Sequence, residues 1–164
     1  TCGGVTEAFD LIFRGKPIEY LQGGVSCSDQ DSQYYSWKET IQLDQVQESL
    51  NRYAGVGRLL DLSPVAYGRS ERTVKMEFVG SDGTKVLKGN DIRFALRLRS
   101  NLITDLETIK GSDGYIRQIQ VKGRGWGHGV GLCQMGDVNL AQKGRTYDQI
   151  LRHYYPGTAV AEWY

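Results

Sequence analysis

The sequence lacks the features of several common functional classes. Its 164 residues carry 20 lysines and arginines against 19 aspartates and glutamates, so it has no basic excess of the kind that nucleic-acid-binding domains concentrate. No apolar run approaches the length that spans a bilayer, and no secretory signal pattern opens the sequence. Because the chain begins Thr-Cys-Gly-Gly without a methionine, we expect it to be part of a longer protein.

Histidine and cysteine are also scarce. The two histidines, His128 and His153, lie outside any His-Glu-x-x-His pattern, which excludes that zinc-hydrolase motif. The three cysteines, Cys2, Cys27 and Cys133, match neither zinc-finger nor Cys-x-x-Cys spacing, and an odd number permits at most one disulfide within the chain. Cys2 and Cys27 lie in turn-like contexts, so they are either disulfide partners or metal ligands, and unpaired thiols are the remaining alternative.

Hydrophobic periodicity predicts an α+β fold. Apolar and polar residues alternate from Thr73 to Val79, which predicts a half-buried strand, and Ser81 to Thr84 is a hairpin signal before a return strand. Further short strands are predicted over 18–21, 37–41, 57–65, 102–109 and 115–121. This irregular succession of strands and three to four short helices favours mixed or antiparallel sheets with hairpins in a single domain over 1–164.

Apolar residues recur at helical spacing over 43–53 and from 90 onward, which predicts helices there. Further helices are expected over 132–142, where Gly144 ends the segment, and over 146–153. Asp44 is a candidate N-cap for the first of them. Thr146 followed three positions later by Gln149 predicts a capping box at the start of the last.

The most unusual segment, Gly123 to Gly136, reads GRGWGHGVGLCQMG. Five glycines occupy every second position from 123 to 131. Glycine loses more backbone entropy than other residues and packs no side chain, so this pattern indicates a backbone that turns unusually or approaches another group closely. His128 in its centre is either a structural ring or a substrate-facing group for hydrogen bonding or proton transfer, and the flanking glycines favour the second interpretation.

The segment fits none of the common glycine-rich ligand loops. It lacks the Gly-Lys-Ser/Thr ending of a phosphate loop, and Val130 stands where a dinucleotide fingerprint needs its third glycine. A nucleophilic pair of Cys133 and His128 is disfavoured, because the cysteine lies in an apolar context. Gln134 is expected near a helix start, where its amide would bind a sugar amide or hydroxyl. Trp126 is either a stacking platform or a core residue.

These residues resemble a known family. The C-terminal signature of the stage II sporulation protein D (SpoIID/LytB) family is similar to three segments of this chain, Gly123–Gly136, Leu140–Gly144 and Tyr147–Thr158. Cys2–Glu7, Pro17–Leu21, Tyr35–Trp37 and Gly89–Arg93 resemble the middle segment of the family. The resemblance covers nearly the whole chain.

The resemblance implies work on the bacterial cell wall, outside the cytoplasm, in the wall, the periplasm or the forespore-engulfment space. Family members are lytic transglycosylases that cleave peptide-free peptidoglycan glycan strands, or wall-associated amidase enhancers. Such a lyase needs one carboxylic acid that protonates the glycosidic oxygen and then takes the proton that lets a 1,6-anhydro ring close.

The resemblance places that glutamate before the Cys-Gly-Gly block. We therefore expect this chain to lack it, to be inactive alone, and to contribute part of a glycan cleft. None of the glutamates present has a matching context, and most are expected to be surface charges. They are Glu7, Glu19, Glu39, Glu48, Glu71, Glu77, Glu107 and Glu162.

The resemblance also implies a binding site around the glycine-rich segment, with His128 and Gln134 as auxiliary groups. The expected substrate-binding residues are Trp126, Gly127, His128, Gly129, Gln134, Tyr154 and Tyr155. Some family members hold a zinc ion near the Cys-Gly-Gly block, which makes Cys2, with Cys27 as a substitute, a candidate zinc ligand, although no cofactor is required.

Three functions remain open at this point. The first is the cleft of a lytic transglycosylase, with glycan strands as substrate and a cell-wall amidase or sporulation protein as a further partner. The second is a non-enzymatic glycan-binding or amidase-enhancing module. The third is a purely structural role for the glycines, with function elsewhere.

Overall fold

Two antiparallel sheets and a set of short helices build the fold in the computed structural model, which describes residues 1–161. The strands are β1 (Ser36–Gln42), β2 (Leu59–Tyr67), β3 (Thr73–Gly80), β4 (Gly83–Lys88), β5 (Ile103–Lys110) and β6 (Ile116–Arg124). The α-helices are α1 (Phe9–Ile12), α2 (Leu43–Tyr53), α3 (Asn90–Ala95), α4 (Gln134–Gln142) and α5 (Tyr147–Tyr154). The predicted α+β class with hairpins is confirmed. The described chain has five α-helices rather than three or four, and α1 is a single turn.

The sheets have the strand orders β1-β6-β5 and β2-β3-β4, and every neighbouring pair is antiparallel. In β3 the predicted alternation holds from Val74 to Phe78, where Val74, Met76 and Phe78 are buried and Lys75 and Glu77 are more exposed, but Thr73 is buried as well. Both sheets, α2 and α3 contribute to the main hydrophobic core, in which Phe78 and Ile119 are fully buried. Burial of each such side chain stabilises the fold by roughly 1.5–3 kcal/mol.

Two local predictions are wrong. The segment 18–21 is not a strand but a 3₁₀ turn at Glu19–Leu21, since the Leu21 N–H donates to the Ile18 carbonyl at 2.9 Å. Asp44 is not the N-cap residue of α2, which is Gln42; it lies inside the first turn, where its carboxylate accepts the N–H of Gln45 at 2.8 Å.

The capping box predicted for the last helix is confirmed. The Thr146 N–H donates to the side-chain oxygen of Gln149 at 3.3 Å, as the motif requires. This fixes the start of α5, whose apolar face then packs beside α4.

A second, smaller core lies under the N-terminal segment. It contains the three cysteines with Ile150 and Tyr154 of α5. The first residues of the chain pair only at isolated bridges, Val5 with Ser26 and Ala8 with Gln22. Within 1–161, none of the helices has the length and apolar character that crossing a membrane requires.

Candidate functional site

Residues 125–133 connect β6 to α4 as a loop in which every second residue from 125 to 131 has a positive φ. The angles are +74° at Gly125, +105° at Gly127, +72° at Gly129 and +68° at Gly131. Residues with a side chain rarely adopt this left-handed backbone. The glycines therefore alternate in the sequence because the backbone conformation alternates along this loop.

Backbone hydrogen bonds tie this loop to the start of the chain. The Trp126 N–H donates to the Thr1 carbonyl at 2.8 Å, and the Glu7 N–H donates to the Gly129 carbonyl at 2.7 Å. The Cys-Gly-Gly block and the glycine-rich segment, distant in sequence, thus form one structure.

The first residues of the chain and the glycine-rich loop together line an open cavity of about 330 Å³. Its lining consists of Thr1, Cys2, Trp126, Gly127, His128, Gly129, Val130, Leu132, Cys133 and Gln134. Five of the seven predicted substrate-binding residues are therefore brought together, and Tyr154 and Tyr155 are not among them.

His128 presents a neutral imidazole at the cavity. Its Nδ1 accepts the N–H of Val130 at 3.0 Å, so the proton of the neutral ring is on Nε2. Partial burial lowers the pKa of His128, and the positive charges of Arg72 and Arg93 lower it further. The ring also meets Phe13 edge-on, with 5.2 Å between centroids. At neutral pH His128 is thus a hydrogen-bond donor through Nε2 and a poor general acid.

Trp126 forms an exposed aromatic wall at this cavity. Its side chain is 47% exposed, which excludes the core interpretation. Tyr34 meets the indole edge-on at 5.2 Å, and the guanidinium of Arg99 lies 4.9 Å from the ring centroid. Arg99 is itself held by Glu39 at 2.6 Å. The indole is therefore positioned from two sides while part of it stays open to a ligand.

The prediction that Tyr154 contacts a ligand is wrong. Tyr154 is 1% exposed, because it lies on the same face of α5 as Ile150, one turn earlier, and packs into the cysteine core. Tyr155 packs near Gly131, with Tyr20 edge-on at 6.3 Å. Both tyrosines support the loop from outside the cavity.

The two glycines predicted to admit a sugar differ in their surroundings. At Gly127 an added Cβ would meet no atom of the described chain within 4 Å, so a ligand has access to the backbone there. At Gly129 the same space is filled by the guanidinium of Arg72. Gly129 is therefore explained by packing inside the protein.

Arg72 is a buried charge that the sequence did not predict. It is 0% exposed and donates to the Cys2 carbonyl and to Asn101 Oδ1 at 3.4 Å. Burial lowers the pKa of Arg72 to about 10, against the opposing effect of the Glu7 and Asp29 carboxylates, so it stays protonated at neutral pH. Its neighbours Ser70 and Glu71 suggest a polar turn, and no local signal reveals the burial.

Glu7 is likewise fully buried, not the surface charge expected. Its carboxylate accepts the hydroxyl of Ser70 at 2.6 Å, the N–H of Ser70 at 3.0 Å and the N–H of Ala8 at 2.9 Å. These three donors and the charge of Arg72 explain how the fold accommodates the buried carboxylate. Glu162 lies outside the described residues.

The cysteines resolve into a disulfide and a thiol. Cys2 and Cys27 are bonded, and Cys133 is free and buried. In this state the first two cannot bind a metal. Burial raises the pKa of Cys133, which agrees with the argument against a nucleophile. Its Sγ accepts the Gly136 N–H at 3.4 Å and so caps α4, the helix that begins at Gln134.

Asp137 of α4 gives a pH-dependent prediction. Burial raises the pKa of Asp137 to about 6, so its charged form is disfavoured in the folded state. The loss of folding stability caused by burying the charged carboxylate is absent below the ordinary pKa near 3.8. This loss grows as the pH rises to about 6 and is constant above that pH. With a discount for partial exposure, we expect Asp137→Asn to stabilise the protein by about 1 kcal/mol at pH 7. Urea unfolding at pH 4 should show no such gain, and an equal gain at both pH values would contradict the prediction.

Comparison with known proteins agrees with the resemblance. A family model described as Domain of unknown function (DUF8618) matches residues 9–131. Stage II sporulation protein D of Bacillus subtilis is 32% identical over 166 residues, which cover 99% of this chain and 43% of that protein. An uncharacterized protein of Brachyspira hyodysenteriae is 28% identical over 163 residues, covering 99% and 42%. The amidase enhancer of Bacillus subtilis is 42% identical over 43 residues, covering 26% and 6%.

The chain spans less than half the length of the relatives that it matches over 99% of its residues. The family model, in contrast, covers most of the chain, from α1 into the glycine-rich loop. The chain therefore belongs to the family described as Domain of unknown function (DUF8618), and its predicted resemblance to stage II sporulation protein D is confirmed.

Proposed function

We propose that this chain binds peptidoglycan glycan strands in the cavity beside the glycine-rich loop, as part of a bacterial cell-wall protein. The observation that carries the proposal is the meeting of Trp126, His128 and Gln134 around one open cavity. The names of the relatives, a sporulation protein and an amidase enhancer, support a cell-wall role.

The chemistry of the lining suits an amino sugar. The exposed indole of Trp126 offers an apolar face for a sugar ring. The Nε2–H of His128 donates a hydrogen bond, which suits the carbonyl of an N-acetyl group. The amide of Gln134 both donates and accepts, and the open backbone at Gly127 admits a ring edge.

Cleavage of the strand needs a carboxylic acid beside the glycosidic oxygen. The residues that line the cavity in the described chain include no aspartate or glutamate. We therefore assign binding to this chain and assign the general acid of a lytic transglycosylase to another part of the parent protein. The disulfide supports an oxidising, extracytoplasmic location.

A non-enzymatic role as an amidase-enhancing module is the second candidate. It is favoured by the 43-residue match to the amidase enhancer and by the carboxylate-free lining of the described cavity. In that role the same cavity would hold a glycan strand while a separate amidase cuts the peptide.

We expect Trp126→Ala to weaken binding of peptide-free glycan fragments roughly tenfold, because it removes the apolar face at a loss of about 1.4 kcal/mol. Isothermal titration calorimetry on the chain measures this loss, and His128→Ala should also weaken binding. Phe94→Ala is the matched control, since Phe94 is 43% exposed on α3 and lines a different cavity. Equal affinities for the Trp126 and Phe94 variants would overturn the proposed site.

An assay on the parent protein distinguishes the lytic transglycosylase from the amidase-enhancing role. Incubated with peptide-free glycan strands, a lytic transglycosylase produces 1,6-anhydro ends that mass spectrometry detects. A parent that binds strands through Trp126 but yields no anhydro ends supports the enhancer role.

A further inference from the structure

A groove of about 820 Å³ follows β4 at one edge of the β2-β3-β4 sheet. Its lining comes from β4, from residues 10–15, and from Tyr53 of α2 and Phe94 of α3. Among the described residues, none that lines this groove also lines the cavity beside the glycine-rich loop. The groove is therefore a second surface with chemistry of its own.

The outer side of β4 exposes unpaired backbone groups to this groove. The Gly89 N–H donates to the Val74 carbonyl at 3.0 Å, so these two residues form a hydrogen-bonded pair of the β3–β4 ladder. Because hydrogen-bonded pairs alternate along an antiparallel ladder, the N–H and C=O groups of Thr84, Val86 and Lys88 point away from β3. No backbone hydrogen bond outside the sheet uses these three residues within 1–161. They form a row of free donors and acceptors.

The opposite edge of the same sheet is blocked. Pro64 of β2 has no N–H, and the register of β2 against β3 shifts at three places. Proline and bulges are two of the features by which natural sheets prevent edge pairing. In contrast, β4 pairs with β3 in one continuous register and contains no proline. The sheet thus has one blocked edge and one regular edge.

The charge of the groove restricts what can pair with β4. Three exposed lysines border it, namely Lys75, Lys85 and Lys88. Within the described chain none of them forms an ion pair, whereas Arg14 and Asp91 neutralise each other at 2.9 Å. Asp10 is the remaining carboxylate of the lining. Lysines at an edge repel a second copy of that edge, and they attract a strand that carries carboxylates.

We propose that β4 is the docking site for an extended acidic segment of a partner protein, which adds to the sheet as a fourth strand. A segment of about six residues, roughly 20 Å long, covers the strand. The free backbone groups hold this segment as in other strand additions. Apolar side chains of the segment contact Leu11, Val86 and Phe94, which are exposed in the groove.

The lysines select the acidic side chains of the added segment from both faces of the sheet. Lys75 and Lys88 are opposite each other in the β3–β4 register, so they share one face. Lys85 is three positions before Lys88 and lies on the other face, since successive side chains of a strand alternate. An added strand therefore meets positive charge whichever of its faces carries the carboxylates.

The probe is a synthetic eight-residue peptide that alternates glutamate and valine, added to the ¹⁵N-labelled chain. We expect saturable binding of one peptide per chain, with shifts of the Thr84, Val86 and Lys88 amide signals and slower exchange of these amides with solvent. A lysine–valine peptide of the same length should leave these signals unchanged. A glutamate–valine peptide with every backbone nitrogen methylated should bind roughly tenfold more weakly, because it cannot donate to the edge.

Two variants test the backbone and the charge separately. Val86→Pro removes an N–H that points out of the sheet, so it should weaken binding of the glutamate–valine peptide roughly tenfold while the β3–β4 bonds remain. Lys85→Glu combined with Lys88→Glu should also weaken it roughly tenfold. The matched control combines Lys38→Glu with Lys110→Glu, which changes the charge equally at exposed lysines of the other sheet.

Circular dichroism shows whether each variant folds, and the methylated peptide tests the same backbone contact should Val86→Pro unfold the chain. The proposal is overturned by any of three results. The glutamate–valine peptide leaves the β4 amides unchanged, the methylated or lysine–valine peptide binds equally well, or the two double variants bind the peptide with the same affinity.

Discussion

Replacing Gly129 by alanine is expected to destabilise the protein by about 4 kcal/mol, which combines left-handed backbone strain with overpacking of a buried group. The added Cβ overlaps the guanidinium of Arg72, and the backbone at Gly129 has a φ of +72°. Arg72 has no free space to move into, because it is fully buried and held by Cys2 and Asn101. Urea unfolding followed by tryptophan fluorescence measures the loss.

Gly127 offers a matched control two positions away in the same loop. An alanine there has the same kind of backbone strain, at a φ of +105°, but meets no atom of residues 1–161 within 4 Å. We expect Gly127→Ala to lose only about 1–2 kcal/mol. Equal losses for the two variants would show that backbone strain alone, and not the packing of Arg72, makes Gly129 necessary.

Replacing Arg72 by methionine is expected to lower the free energy of unfolding by about 4 kcal/mol. Other buried ionic groups that lose one partner show losses of this size. Methionine fills much of the volume but leaves the Glu7 and Asp29 carboxylates buried without the opposing charge. It also removes the donor to the Cys2 carbonyl. Chemical denaturation at neutral pH measures the change.

Two further variants test the cause. Arg72→Lys keeps a positive charge with fewer donors, so it should lose less than methionine does. Arg69→Met removes an exposed arginine three positions earlier and should change stability by no more than about 0.5 kcal/mol. A large loss at Arg69, or none at Arg72, would contradict the role given to the buried charge.

Local chemistry explains the parts of the fold that the sequence predicted. The alternation in β3, the apolar spacing in α2 and the capping box of α5 each involve residues within a few positions of one another. The segment 18–21 resembled a strand in composition, but a strand needs a partner, and none of the described segments pairs with it as one. It closes a tight turn instead.

The candidate site was predictable in part for the same reason. The spacing of glycines predicted an unusual backbone, and the structure shows a positive φ at Gly125, Gly127, Gly129 and Gly131. The meeting of this loop with the first residues depends on contacts across the whole chain. Arg72 stands in a polar stretch and is buried only because Glu7, Asp29 and the loop surround it. Tyr154 packs against the cysteines through α5, a contact between distant parts of the chain that no local pattern in the sequence indicates.

The hydrogen bond from Trp126 to Thr1 joins positions 125 residues apart, which has a consequence for the order of folding. Closing so long a loop is entropically unfavourable until other contacts bring its ends together. We therefore expect the two sheets to form before the cavity does, and contacts of such long range to slow folding. During synthesis on the ribosome, the first residues of this chain cannot contact the glycine-rich loop until residues up to about Trp126 have emerged.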